Sequence, residues 1–240
     1  MLSHVIDPLL SLVYPQECSV CHRSVDERKY GSACALCWNA TRIFQGTELT
    51  CGKCGAYFDE KAAPVQTFCR KCDDYFFDKA IALGVYEKAL AAAVIALKNS
   101  PHLPTRVTKL IQDRSFEFDG IDLIIPIPLS KARRIERGYN QAEVVAREIG
   151  AITGKPVDPH SLVRHLQTPI HRMGMDQRAR ELSVRNAFTV KRPRLIEDKS
   201  VLLVDDVLTS GATASFCAKT LKKNGARQVV AFTLARAVMR

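Results

Sequence analysis

Apolar residues fall into two repeating patterns over residues 79–240. Residues 80–86 (AIALGVY), 121–127 (IDLIIPI), 201–204 (VLLV) and 228–235 are short runs, apolar on both faces, and they read as buried strands. Residues 89–97 form an alanine-rich helical stretch. Residues 140–150 predict a helix followed by Gly154 and Pro156, and residues 214–223 one stopped by Asn224 and Gly225. Strands that alternate with helices predict a mostly parallel α/β sheet with flanking helices. There is no internal repeat in this part. Residues 1–18 read as an amphipathic helix, since Asp7 and Pro8 interrupt the apolar positions and no basic start precedes them. No apolar run approaches the roughly 18–20 residues of a membrane span. Without an export signal, the expected location is cytoplasmic.

The pattern before residue 79 is different, because cysteine organises it. Eight of the nine cysteines form four C-x2-C pairs: Cys18/Cys21, Cys34/Cys37, Cys51/Cys54 and Cys69/Cys72. A C-x2-C turn aims two thiolates at one point, and two such turns complete a tetrahedral sulfur cage for zinc. Four pairs make two structural zinc sites, and the metal would stabilise a segment with a thin core of its own. Sequential pairing is simplest, and an interleaved cross-brace remains open. Disulfides fit poorly with a reducing compartment, and an iron–sulfur cluster fits less well than zinc. His22 reads as a surface residue. Cys217 shares an i, i+3, i+4, i+7 stripe with Ala214, Ala218 and Leu221, so it reads as a core thiol. The expected organisation is residues 1–78 as N-terminal helix and double zinc ribbon, and residues 79–240 as the α/β domain.

Charge follows the same division. The chain has a formal net charge of +10. Residues 1–78 hold 8 Lys and Arg against 10 Asp and Glu, so the positive excess lies wholly in residues 79–240. That excess points to an anionic partner, with a solvated basic surface as the plainer alternative.

The stretch VLLVDDVLTSGAT, residues 201–213, carries the chemistry. In parallel α/β sheets ligands bind at the carboxyl ends of strands, and Asp205 and Asp206 stand there. The turn Thr209, Ser210, Gly211, Ala212 and Thr213 opens the next helix. Its amides and hydroxyls suit a phosphate, and Gly211 lets the backbone approach closely. The carboxylates suit vicinal hydroxyls or a divalent cation. A 5-phosphorylated ribose carries both kinds of group. A receiver-domain reading of VLLVDD fails, because too little chain follows Asp206, and no G-x-G-x-x-G supports a dinucleotide fold.

This stretch resembles the signature of type I phosphoribosyltransferases. The motifs VYEKALAAAVIALKNS (85–100), IIPIPLSKARRIERGYNQAE (124–143) and LQTPIHRMGMDQRARELSVRNAF (166–188), in this order after the paired C-x2-C motifs, resemble the ComF family over nearly the whole chain. His171 stands where that family usually has Gln, and Ser183 where it usually has Asn. The resemblance implies a type I phosphoribosyltransferase fold preceded by a double zinc ribbon. It implies Asp205 and Asp206 as catalytic residues and Thr209–Thr213 as the phosphate loop. Lys98 stands at the family's matching lysine. Residues 126–137, with Ser130, Lys131, Arg133 and Arg137, should form a pyrophosphate-binding turn and basic flank. Residues 164–180, with Arg164, Arg172, Arg178 and Arg180, should form a closing loop. The implied ligand is Mg²⁺-phosphoribosyl pyrophosphate, and the implied activity is phosphoribosyl transfer to an acceptor the sequence does not name. The family's association with DNA uptake in natural transformation adds single-stranded DNA and other uptake proteins as expected partners. A non-catalytic nucleotide-sensing or DNA-binding competence factor is the alternative. Proteins of this fold often dimerise, which leaves a homodimer open.

Overall fold

The computed structural model describes residues 16–46, 48–58, 68–165 and 187–238. Its centre is a four-stranded, all-parallel sheet of β1 (Lys79–Val85), β2 (Leu123–Pro126), β5 (Ser200–Leu208) and β6 (Gln228–Arg236), in the order β1-β6-β5-β2. A short antiparallel pair, β3 (Leu162–Arg164) and β4 (Phe188–Val190), stands apart from it. The α/β reading of the apolar runs therefore holds.

Strand periodicity divides the interior in two. Ile81, Leu83, Ile124, Leu202, Val204, Phe232 and Leu234 face one side. There they meet α2 (Lys88–Ala96), α3 (Thr105–Asp113) and α5 (Gln141–Thr153). Leu123, Ile125, Val201, Leu203, Val229 and Ala231 face the other side, covered by α6 (Ala212–Lys223) and by Leu162 and Phe188 of the short pair. The cysteine segment contributes to both cores. Cys18, Cys34, Cys37 and Trp38, the last two from α1 (Ala35–Asn39), join the first, and Cys51, Cys54 and Cys72 join the second.

The cysteine segment also covers the β1 edge. Phe44 N donates to Leu83 O (2.8 Å), Val85 N to Arg42 O (2.9 Å) and Ala80 N to Lys53 O (2.7 Å). These bonds occupy an edge that would otherwise present unpaired backbone groups. Gly84 is required there, because a Cβ would lie 2.3 Å from Arg42 O.

Three elements depart from the sequence reading. The strand expected over 201–204 runs to Leu208, because β6 continues beside it and pairs Asp205 with Thr233 and Val207 with Ala235. The basic run KARRIER, expected as a turn's flank, is a helix, α4 (Lys131–Arg137). Its N-cap is Ser130, whose hydroxyl accepts from Arg133 N (3.5 Å). Helix α3 had no expected counterpart. The amphipathic helix expected over residues 1–18 lies almost wholly outside the described residues.

Candidate functional site

The site forms where β2 ends. Pro126 pairs with Val204, Ile127 N makes a last bond to Val204 O (2.8 Å), and the chain then leaves the sheet. Beyond Val204, β5 keeps its β6 neighbour and loses the one on the other side. Asp205 and Asp206 are the next two residues, so they sit on a strand with one flank open. Successive residues of a strand point to opposite faces. Accordingly Asp205 acts on Cys217 of α6, and Asp206 on Tyr86 beyond β1. Because the flank is open, both carboxylates still reach one cavity of about 330 Å³.

That cavity gathers side chains from five parts of the chain. Thr209, Gly211 and Thr213 line it from the turn before α6, and Arg133 and Arg137 from α4. Lys98 enters after α2, and Arg164 from β3. Arg133 and Arg137 are four residues apart and so share a helix face, whereas Lys131 and Arg134 point to solvent. Four cations against two carboxylates give the wall a net positive character suited to a polyanion. Ser130, Lys131, Ser210 and Ala212 do not line the cavity: Ser130 caps α4, and Ala212 is buried. Arg172, Arg178 and Arg180, with His171 and Ser183, lie outside the described residues.

The structure adds lining residues that the pattern reading did not single out. Tyr86 stands at the end of β1, a position any ligand-binding parallel sheet makes eligible. Asn140 caps α5 by accepting from Ala142 N (3.2 Å) and donates to Ile127 O (2.9 Å), which fixes the β2 exit against the helix start. An Asn immediately before a helical pattern was the available signal.

Burial pushes the Asp205 carboxyl well above the usual carboxylate range. The adjacent Asp206 carboxylate adds to this, and Arg164 opposes it. Asp205 also accepts from Asp206 N (2.9 Å). Burial likewise raises the Cys217 thiol, with the Asp205 charge in the same direction. Cys217 is fully buried, as its apolar stripe predicts. A buried carboxyl raised in this way, beside a second carboxylate and facing a cavity lined by cations, marks a functional site rather than a structural ion pair.

The eight paired cysteines form two groups, Cys18/Cys21/Cys34/Cys37 and Cys51/Cys54/Cys69/Cys72, so pairing is sequential. Contacts between sulfurs of different pairs measure 3.8 and 3.6 Å in the first group and 3.5 and 3.4 Å in the second. Four thiolates around one ion at Zn–S of about 2.3 Å would be separated by about 3.8 Å. The sulfurs therefore fit one ion per group and are too close to sit on the separate irons of a multi-iron cluster. Backbone amides support the sulfurs: Cys34 N approaches Cys18 Sγ, and Cys69 N approaches Cys51 Sγ, each at 3.3 Å. Four thiols per group, in this geometry, fit two structural zinc ions. His22 is exposed and contributes to neither group.

Comparison with known proteins follows the same division. A double zinc ribbon domain model matches residues 9–74. "DNA utilization protein YhgH" of Salmonella typhimurium is 27% identical over 227 residues, covering 91% of this chain and 89% of that protein. "Competence protein F" of Haemophilus influenzae is 31% identical over 117 residues, covering 48% of this chain and 51% of that protein, so the match spans about half the relative's length. "Competence protein ComFC" of Bacillus subtilis is 30% identical over 130 residues, covering 54% and 48%. Among solved structures, a purine phosphoribosyltransferase from Pyrococcus horikoshii aligns at 18% identity over 55% of this chain and 71% of that one. The TM-score is 0.35, and a likeness of that size says nothing about ligands. Sequence, cysteine geometry and sheet together define a double zinc ribbon joined to a parallel α/β unit. The chain is similar, over most of its length or about half of it, to proteins named for competence and DNA utilization.

Proposed function

We propose that the cavity binds Mg²⁺-phosphoribosyl pyrophosphate and transfers its phosphoribosyl group, in a protein that serves DNA uptake or utilisation. The observation that carries this reading is the convergence, in one cavity of about 330 Å³, of a helix-opening hydroxyl turn, two strand-end carboxylates and four cations. Each has a counterpart on the ligand. The 209–213 turn offers amides and hydroxyls to the 5-phosphate. Asp205 and Asp206 accept from the ribose hydroxyls. Lys98, Arg133, Arg137 and Arg164 neutralise the pyrophosphate. Bound Mg²⁺ would add charge to steady the leaving group.

In the transfer, the C1–O bond breaks with its electron pair leaving on pyrophosphate. The acceptor's lone pair forms the new bond to C1, and the acceptor's proton passes to solvent. The cations stabilise the charge that develops on the leaving oxygen, and the carboxylates stabilise the cationic ribose carbon. Residues 1–78 serve as the metal-bearing unit and 79–240 as the ligand-bearing one.

Calorimetric titration with Mg²⁺-phosphoribosyl pyrophosphate tests binding. Pyrophosphate release against a panel of bases, amines and oligonucleotides tests transfer. Saturable binding with release supports the enzyme, and no binding overturns the reading. A second reading, a nucleotide-gated handler of single-stranded DNA, is favoured by the relatives' names and by Lys131 and Arg134, which face solvent beside the cavity. Charge reversal at Lys131 and Arg134 should then weaken single-stranded DNA while sparing the small ligand. The salt dependence should have a log–log slope of about −0.7 per phosphate neutralised. Unchanged DNA affinity removes that reading.

A further inference from the structure

We propose that the second cysteine cluster positions the phosphate loop, through Arg236 and Tyr75, so that metal occupancy at Cys51/Cys54/Cys69/Cys72 sets the geometry of the anion cradle. This rests, for its ligand, on the reading above. Arg236 ends β6 and is 1% exposed. One guanidinium nitrogen, Nη1, donates to Leu208 O (2.7 Å) and to Thr209 O, at the start of the loop. The other, Nη2, donates to Cys54 Sγ (3.9 Å). Four thiolates around a divalent ion leave a buried dianion, and a buried charge requires a partner. Arg236 is that partner, and its planar fork can reach a sulfur and two carbonyls at once where a lysine could not.

Tyr75 makes a second tie, three residues past the last cysteine. Its hydroxyl donates to Ser210 O, and its ring lies against Gly211, where an added Cβ would sit 2.9 Å from two ring carbons. Next to it, Phe76 N donates to Ser215 Oγ (3.1 Å) in the first turn of α6. Consecutive loop carbonyls, of residues 208, 209 and 210, are therefore all held by groups belonging to or touching the second cluster. In a planar trans peptide the N–H points opposite to the carbonyl, so holding these three carbonyls also fixes the direction of the amides of residues 209, 210 and 211. Outer partners of metal ligands commonly orient groups this way.

The experiment compares four variants of the full chain by zinc content, hydrogen exchange of residues 209–213 and affinity for Mg²⁺-phosphoribosyl pyrophosphate. Tyr75→Phe should keep two zincs, speed exchange in 209–213 and weaken ligand binding by roughly fivefold, the loss of one hydrogen bond. Arg236→Lys should keep two zincs and do the same more strongly. Cys69→Ser and Cys21→Ser should each lower zinc to one, yet only Cys69→Ser should speed exchange in 209–213. If both cysteine variants speed it equally, or if Tyr75→Phe with two zincs exchanges and binds as the parent does, the proposal is overturned. Exchange is read without ligand. If the parent protein fails to bind the ligand while the exchange pattern appears, the coupling stands and the ligand reading falls.

Discussion

At the first cysteine cluster, Thr41 Oγ1 donates to Cys37 O (2.7 Å) and accepts from Ala89 N (3.1 Å), so the knuckle's exit caps the start of α2. Arg42 adds a two-point contact to Glu87 (2.9 and 2.7 Å) one residue before that helix. At the second cluster, Arg236 and Tyr75 hold carbonyls of the loop that opens α6. Each cluster consists of four cysteines, and both are built into a core. One is tied to a helix that supports the sheet, and the other to the loop that lines the cavity. The difference teaches that a metal site's role is set by what its surroundings hold, since the ligand sets are identical.

The most drastic way to break the comparison is to remove the metal from both. Elemental analysis should give two zincs per chain. Because their cysteines lie in the cores on opposite faces of the sheet, exhaustive chelation should unfold ribbon and sheet in one calorimetric transition, with the loss of metal-linked stability on the order of 10 kcal/mol. Two separate transitions would show that the cysteine segment is an appendage.

The next largest effect is at the acids. Asp205→Asn with Asp206→Asn should weaken Mg²⁺-phosphoribosyl pyrophosphate by at least roughly a hundredfold, about 2.7 kcal/mol, in a folded protein. Asp205→Asn alone should stabilise the fold by about 1 kcal/mol, as relief of a functional strain does. The sign follows from its raised carboxyl: between the ordinary carboxylate value and the folded value, the folded state holds a proton that the unfolded chain releases. This group's contribution to stability is therefore lost as pH rises through that window, and the slope should vanish in Asp205→Asn. Ligand affinity should run the other way, falling as pH drops and the carboxyl takes up its proton. A mutant with unchanged stability and affinity would make the acid a bystander.

Gly211→Ala sharpens the comparison at the second cluster. Gly211 has φ of +75°, and its neighbour is the Tyr75 ring, so the change should cost about 1–2 kcal/mol and move the loop, with weaker ligand binding. Thr41→Ala is the counterpart at the first cluster and the smallest effect. Loss of its two bonds should lower stability by about 1 kcal/mol in chemical denaturation and leave ligand affinity at the parent value. A drop in affinity there would erase the distinction between the clusters.

Much of this was legible locally. C-x2-C spacing announces the cages, because a two-residue turn converges its thiolates whatever surrounds it. Four apolar residues before two acids and a hydroxyl turn announce a strand end with a cradle. The run KARRIER was legible as charge and not as a helix: which of its cations face the cavity depends on α4 existing, and it exists because Ser130 caps it and Gly138 (φ +76°) ends it. Strand β5 was read four residues short, since Asp205 and Asp206 are poor strand formers and only β6 alongside extends the ladder through them.

By itself, then, the sequence determined the two cages, the alternating α/β order and the pairing of acids with a phosphate-suited turn, because each depends on spacing over a few residues. The tertiary structure alone decided that β2 stops at Val204 and opens a flank beside the acids. It also decided that each cage joins a different face of the sheet, and that Arg236 bridges Cys54 and the loop. Cys54 and Arg236 are 182 residues apart in the chain. Local pattern carries no record of such a contact, which exists only because parallel pairing of β1 with β6 brings the cysteine segment and the end of the last strand to one place.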